Sequence, residues 1–159
     1  MPIKIRSLVR EDAEAAAEIS FDAVHYGISD VYSSEQRTAW AGRAPNPKGW
    51  RHKFENISGF AAEKDGSMVG FMTLDASGYI DLAFVKTELS GQGIGQLLYN
   101  QIEIRALAER ISKLSTEASE KAKPFFVRLG WVIDHKQAVI KNESALTNYR
   151  MSKLLKAKP

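Results

Sequence analysis

The sequence predicts an α/β (α+β) fold: a mixed, mostly antiparallel central sheet of about seven strands flanked by about four helices. Three observations predict it. Strand-like and helix-like segments follow the order strand, two helices, three strands, helix, strand, helix, two strands. The three middle strands are joined by Lys64-Asp65-Gly66 and Ala76-Ser77-Gly78, short turn signals that suit an antiparallel meander. Only the passage from Tyr79–Val85 through a long helical segment to Lys113–Ala118 has the length of a parallel crossover, so one parallel pair enters the sheet.

Taken in order, Ile3, Ile5 and Leu8 with Lys4 and Arg6 between them form a first strand, and Glu11 and Asp12 open an Ala-rich helix that runs to about Val24. A second helix spans Val31 to Trp40, capped by Ser33 or Ser34 with Glu35 and Gln36 in its first turn, and Gly42 closes it. Arg43 to Gly49, with Pro45 and Pro47, reads as a loop, after which Trp50, Phe54 and Ile57 resume a periodic pattern. Phe60–Glu63, Met68–Leu74 and Tyr79–Val85 are the meander. The long helix, Gly93 to Arg110, carries a mostly apolar stripe of Ile94, Leu97, Leu98, Gln101, Ile102, Arg105 and Leu107. Lys113–Ala118 is the next strand and Glu120 to Leu129 the last helix, ended by Gly130. Trp131–Ile140 and Leu146–Leu155 close the chain as two strands around Asn142-Glu143-Ser144.

Composition narrows the function. With 159 residues, 44% hydrophobic and 26% charged, residues 1–159 read as a single globular domain. No Cys is present, which removes disulfides, thiolate nucleophiles and Cys-based metal sites and agrees with a reducing cytoplasm. Met1 to Arg10 lacks the apolar run of a signal peptide, and nothing approaches the roughly 18 apolar residues of a membrane span. A cytoplasmic protein without membrane partners is therefore expected. The net charge of +3 gathers at Lys153, Lys156 and Lys158, a solvated basic tail. No helix carries a basic stripe with interleaved aromatics, so no nucleic-acid partner is expected. Three scattered His, without an H-x-x-x-H pattern or clustered carboxylates, give no metal site.

The most informative stretch runs from Phe84-Val85 to Leu97-Leu98, where a strand ends, Gly91, Gly93 and Gly95 turn the chain, and a helix begins. Glycine lets backbone approach an anion, and the first amides of a helix lack intrahelical partners, so such a turn can hold a pyrophosphate; the other reading is a turn chosen for conformation alone. A Walker loop would need Gly-Lys-Ser/Thr where Gly95-Gln96 stands, and a dinucleotide fingerprint needs G-x-G-x-x-G early in the chain. What remains resembles the acetyl-CoA site of the GNAT superfamily of N-acetyltransferases, with its signature Q/R-x-x-G-x-G/A: Gly93 and Gly95 are in register, and Ser90 stands where the family has Gln or Arg. Downstream, the family's N-x-x-A-x-x-F-Y-x-x-x-G-F/W is matched by Ala122, Phe125, Gly130 and Trp131, with Ser119 at the Asn position and Phe126 at the Tyr position. The resemblance covers roughly the whole chain, its motifs Tyr79 to Trp131.

The resemblance implies acetyl-CoA as donor, no metal, and a small-molecule or peptide amine as acceptor, attacking directly in a ternary complex between the fourth and fifth strands; it also allows a homodimer. Ser90, Gly91 and the amides of Gln92, Gly93, Ile94, Gly95 and Gln96 would hold the pyrophosphate, while Phe84 and Val85 pair with the pantetheine arm. Ser119 either bonds that arm or caps a helix, and Phe126 has no proton for the departing thiolate. Asp81 is the leading candidate for the base, sharing a strand face with Tyr79; Glu117 is the weaker one, and a solvated carboxylate is the alternative for Asp81. His25, Tyr26, Tyr32 and Trp40 of the first helices are the acceptor-side candidates, with core or rim packing as their plainer reading. A non-catalytic acetyl-CoA sensor and a binding module using the basic end are the competing functions.

Overall fold

In the computed structural model, which describes residues 2–156, the chain forms two four-stranded sheets joined by one segment that belongs to both. Met1 and Lys158, on which the leader and basic-tail expectations partly rested, lie outside the described residues. Strands β1 (Lys4–Ser7), β2 (Gly59–Lys64), β3 (Ser67–Thr73) and β5 (Ala83–Val85) form the first sheet in that order, every pair antiparallel. The second has the order β4 (Tyr79–Ile80), β6 (Lys113–Ser119), β8 (Ser144–Leu154), β7 (Val132–Lys141), with β4 and β6 parallel. The fold class is the one the sequence predicts, with eight strands in two sheets in place of about seven in one.

The difference arises in Tyr79–Val85, predicted as a single strand. Tyr79 and Ile80 pair with Ser115 and Thr116, and the Thr116 hydroxyl donates to the Ile80 carbonyl at 2.7 Å. Asp81 and Leu82 then leave that ladder. Thr73 captures Leu82 instead, donating its N–H to the Leu82 carbonyl (2.9 Å) and accepting the Leu82 N–H on Oγ1 (3.0 Å), after which Ala83 to Val85 pair with β3. Beyond Ile80 the sheets part, and a gap opens between β5 and the Glu117–Ser119 end of β6.

Helix α1 (Ala13–Asp22) continues into a wider π turn, Ala23–Gly27. Helix α2 (Ser34–Ala41) starts at a reciprocal box in which Ser33 Oγ accepts the Gln36 N–H and Gln36 Oε1 accepts the Ser33 N–H, at 3.1 and 2.8 Å. Part of the predicted loop Arg43–Gly49 is helical: α3 (Pro47–Lys53) begins at Pro47, where the missing N–H costs nothing, and Asn46 Oδ1 caps it. Helix α4 (Ile94–Ala108) is the long crossover, and α5 (Lys123–Arg128) is shorter than predicted.

Helix α4 fills the main core. Ile94, Leu98, Tyr99, Ile102 and Ala106 are at most 2% exposed, each large apolar side chain contributing about 1.5–3 kcal/mol by leaving water. They meet Phe60, Val69 and Met72 of the first sheet and Leu114, Ala118 and Met151 of the second. Leu97 and Leu107, placed in the predicted stripe, point outward instead, at 41% and 39% exposed. On the opposite side α1 and α3 cover the first sheet through Ile19, Phe54 and Phe71, while Val24, Ile28, Tyr32 and Leu146 pack together where the first helices meet β8.

Candidate functional site

The glycine turn stands at the open end of the gap. Gly91 and Gly93 have φ of 79° and 83°, the left-handed region where a side chain is strained, and a Cβ at either would meet nothing within 4 Å. Gly95 is small for another reason: its Cβ would sit 3.3 Å from the Phe125 ring. Gly93 caps α4 without any side-chain bond, and the first helical bond runs from Leu97 N–H to the Gly93 carbonyl (3.2 Å). The amides of Gly93, Ile94, Gly95 and Gln96 therefore lack intrahelical partners and carry the positive end of the helix dipole. Asp22 ties the preceding segment to the end of α1, accepting the Thr87 N–H at 2.8 Å.

In front of this turn lies a cleft of about 530 Å³. Phe84 and Val85 line one wall, Ser90, Gly91, Gly93, Ile94, Gly95 and Gln96 the end, and Ser119, Ala122, Phe125 and Phe126 the other wall. Gln92 is exposed and does not line it. Lys121 and Arg128 add positive charge, Lys121 also pairing with Asp30 at 3.0 Å. Phe126 is 3% exposed and packs on Trp131 with ring centroids 4.8 Å apart.

Which amides of β5 face the gap follows from register. Leu82 and Lys86 bond to Thr73 and Val69 of β3, so alternation turns Phe84 toward β3 as well and leaves the N–H and C=O groups of Ala83 and Val85 on the open edge. Of the two strand residues expected there, Val85 presents its backbone to the gap and Phe84 presents its side chain. Ala83, which sequence reasoning did not single out, has its N–H on that open edge.

A second cleft, of about 500 Å³, meets the first: Trp40, Phe84 and Ser119 line both. Tyr79, Asp81, Glu117, Tyr32 and Asn148 line it from the strands and the first helices. Asp81 and Glu117 are exposed carboxylates. Burial, then the charges of Glu117 and Asp81, push the Tyr79 phenol up to about 12, so Tyr79 keeps its proton at neutral pH. Ser119 Oγ accepts the Ala122 N–H at 3.1 Å across the turn that leads into α5, whose cap position is Ala122, and its own hydroxyl proton remains available to the cleft. Asn148, the cross-strand partner of Ser119, has a buried Oδ1 without a hydrogen-bond partner.

The four acceptor-side candidates separate into two pairs. Trp40 and Tyr32 line the second cleft, their rings edge to face at 5.8 Å. The Tyr32 hydroxyl is engaged, donating to the Thr147 carbonyl (2.5 Å) and accepting the Glu120 N–H (3.0 Å). His25 and Tyr26 line neither cleft: the His25 ring lies 4.3 Å from Phe21 with Nε2 2.7 Å from the Gly42 carbonyl, and Tyr26 is 65% exposed. Among the described residues, no group of three or more His, Asp or Glu is arranged to hold a metal ion, and no helix is long and apolar enough to cross a membrane.

Comparison with known proteins gives a consistent picture. The family profile of the acetyltransferase (GNAT) domain matches residues 28–153. The chain is 30% identical over 149 residues, 94% of each chain, to the uncharacterized N-acetyltransferase YafP of Escherichia coli strain K12. It superimposes with a TM-score of 0.90 and 29% identity on a GCN5-related N-acetyltransferase from Rhodopseudomonas palustris, covering 98% of this chain and 97% of that one. The PaiA N-acetyltransferase of Thermoplasma acidophilum, crystallised with coenzyme A, shares the fold at a TM-score of 0.78 and 18% identity, over 98% of this chain and all (100%) of that one.

Proposed function

The chain belongs to the GNAT acetyltransferase family, and on that premise we propose that it transfers an acetyl group from acetyl-CoA to a primary amine by direct attack in a ternary complex. One observation carries the reading: a cleft ending at unpaired helix amides and a cleft bearing carboxylates meet at Phe84 and Ser119, in the gap where the sheets part.

In this reading the amides of Gly93 to Gln96 hold the pyrophosphate of acetyl-CoA, and Val85 extends the sheet with the pantetheine arm as an added strand. The Ala83 N–H is the donor for the thioester oxygen as negative charge develops on it. The amine enters through the second cleft as an ammonium, and Asp81, directly or through a water, takes a proton from it; Glu117 is the second candidate. The nitrogen then bonds to the acetyl carbon, the carbon–sulfur bond breaks, CoA leaves as thiolate, and the nitrogen gives up its second proton through water to the thiolate or to solvent, which leaves the neutral amide. Phe126 has no proton for that thiolate, and Tyr79 is the phenol nearest the two carboxylates, held protonated by its surroundings. The whole chain, residues 1–159, acts as one domain.

A sensor that binds acetyl-CoA without transferring it is the second reading, favoured by Phe126 alone. Calorimetry with acetyl-CoA, followed by an amine screen for CoA release, separates the two. Micromolar binding with turnover supports transfer, binding without turnover of any amine supports the sensor, and absence of binding by folded protein refutes both.

A further inference from the structure

The cleft on the amine side carries charges of both signs that do not neutralise one another. Asp81 and Glu117 line it from the strand side, Lys53 from the end of α3 and Lys141 from the end of β7. Among the described residues none of the four forms an ion pair within 4.0 Å. The Lys53 ammonium rests instead over the Trp50 ring, 4.7 Å from its centroid. A cleft that selects polycations lines itself with carboxylates, and one that selects anions with cations; two of each sign, held apart, match a ligand that carries both. Trp40 and Trp50 add apolar wall to the same cleft.

We infer that the acceptor is a small zwitterionic amine, a primary amine joined to a carboxylate through a short, largely apolar body. The inference rests on the acetyltransferase reading above. The ammonium end lies toward Asp81 and Glu117, near the junction of the two clefts, and the carboxylate lies against Lys53 or Lys141. All four side chains are exposed, so each ion pair is partly screened by solvent and the selectivity is modest and sensitive to salt.

The test compares amines with and without the carboxylate. Glycine, β-alanine, γ-aminobutyrate and phenylalanine are assayed for CoA release from acetyl-CoA beside their amides and decarboxylated counterparts. The best carboxylate-bearing amine should exceed its decarboxylated counterpart by about fivefold in kcat/KM at low ionic strength. That ratio should fall toward one in high salt and in Lys53→Met or Lys141→Met, variants of exposed side chains whose folding is checked by thermal melting. Turnover that shows no preference for the carboxylate, or a preference unchanged in both lysine variants, overturns the zwitterion inference while acetyl transfer stands. If protein that binds acetyl-CoA acetylates no amine at all, the acetyltransferase reading fails and takes the inference with it.

Discussion

Replacing Gly93 by Asp puts a carboxylate where the pyrophosphate is proposed to lie, and the structure allows the cost to fold and to binding to be separated. At φ 83° and ψ 7°, Gly93 is in the left-handed region, where a side chain costs about 1–2 kcal/mol. There is no steric term, because nothing lies within 4 Å of its Cβ position. An acidic group at a helix N-terminus returns about 0.3–1 kcal/mol, so the folded state should survive. Against the ligand, two unit charges about 4 Å apart repel by about 1 kcal/mol in water and about 4 kcal/mol at an effective permittivity of about 20. Gly93 is exposed, which puts the expected penalty between these limits, near 2–3 kcal/mol or about a hundredfold in Kd. Gly93→Asn is the control: nearly the same shape, tolerant of the left-handed region and uncharged. Calorimetric titration with acetyl-CoA, at low and high salt, should rank the wild type first, Asn close behind and Asp far weaker, with the gap between Asn and Asp narrowing in salt. Equal affinities for Asn and Asp in folded protein would refute the pyrophosphate assignment.

Asp81→Asn should lower kcat by about a hundredfold or more without weakening acetyl-CoA binding; an unaltered kcat in folded protein excludes Asp81 as the base. Tyr79 should contribute a tyrosinate absorbance step near pH 12 that is missing in Tyr79→Phe, and Glu117→Gln should move the step down. Because the folded protein holds that phenolic proton more tightly than the unfolded chain, the associated stability is complete below the ordinary tyrosine pKa of about 10 and is lost as pH climbs toward about 12. Tyr79→Phe should therefore lose less stability than wild type across that window in melting experiments. Arg6 donates to Asp12 through both terminal nitrogens at 2.8 Å and to Glu63 at 2.6 Å. Burial pushes the Asp12 carboxyl up, but the bonds from Arg6 and the Val9 N–H outweigh it and hold it below its usual range. Arg6→Met should cost about 1.5–3 kcal/mol at neutral pH and flatten the loss of stability as pH falls through the carboxylate range.

Strand and helix order was legible because each segment obeys a period its residues can carry alone: alternation in β1, the Ser33–Gln36 capping pattern before α2, the Asp65-Gly66 turn between β2 and β3. The start of helix α3 was read as loop because Pro45, Pro47 and Gly49 dominate the local signal. Yet Asn46-Pro47 is itself a helix start, with the Asn as cap and the Pro at the first helical position. The stripe on α4 was misplaced at its edges for a different reason. A helix between two diverging sheets buries Tyr99 and Ala106 where they face strands, and no periodicity reveals which flank of an apolar stripe the partner will cover.

The site divides along the same line. The glycine turn was legible because a positive φ leaves its mark in residue type, and Gly91 and Gly93 both take one. The edge that faces the proposed thioester was not. Tyr79 to Val85 carries strand-forming residues on both sides of its break, so its composition reads as one strand whether or not it changes partners halfway, and the change uses a hydroxyl at Thr73 that sits six residues before Tyr79. A one-residue difference in register exchanges the amides that face the gap with those that face the sheet. That is why Phe84 was named for a backbone role that its position turns toward β3, and why Ala83, with nothing in its side chain to draw notice, holds the open N–H. A site built from backbone edges is set by pairing across distant segments, and residue type marks it only where the backbone demands glycine.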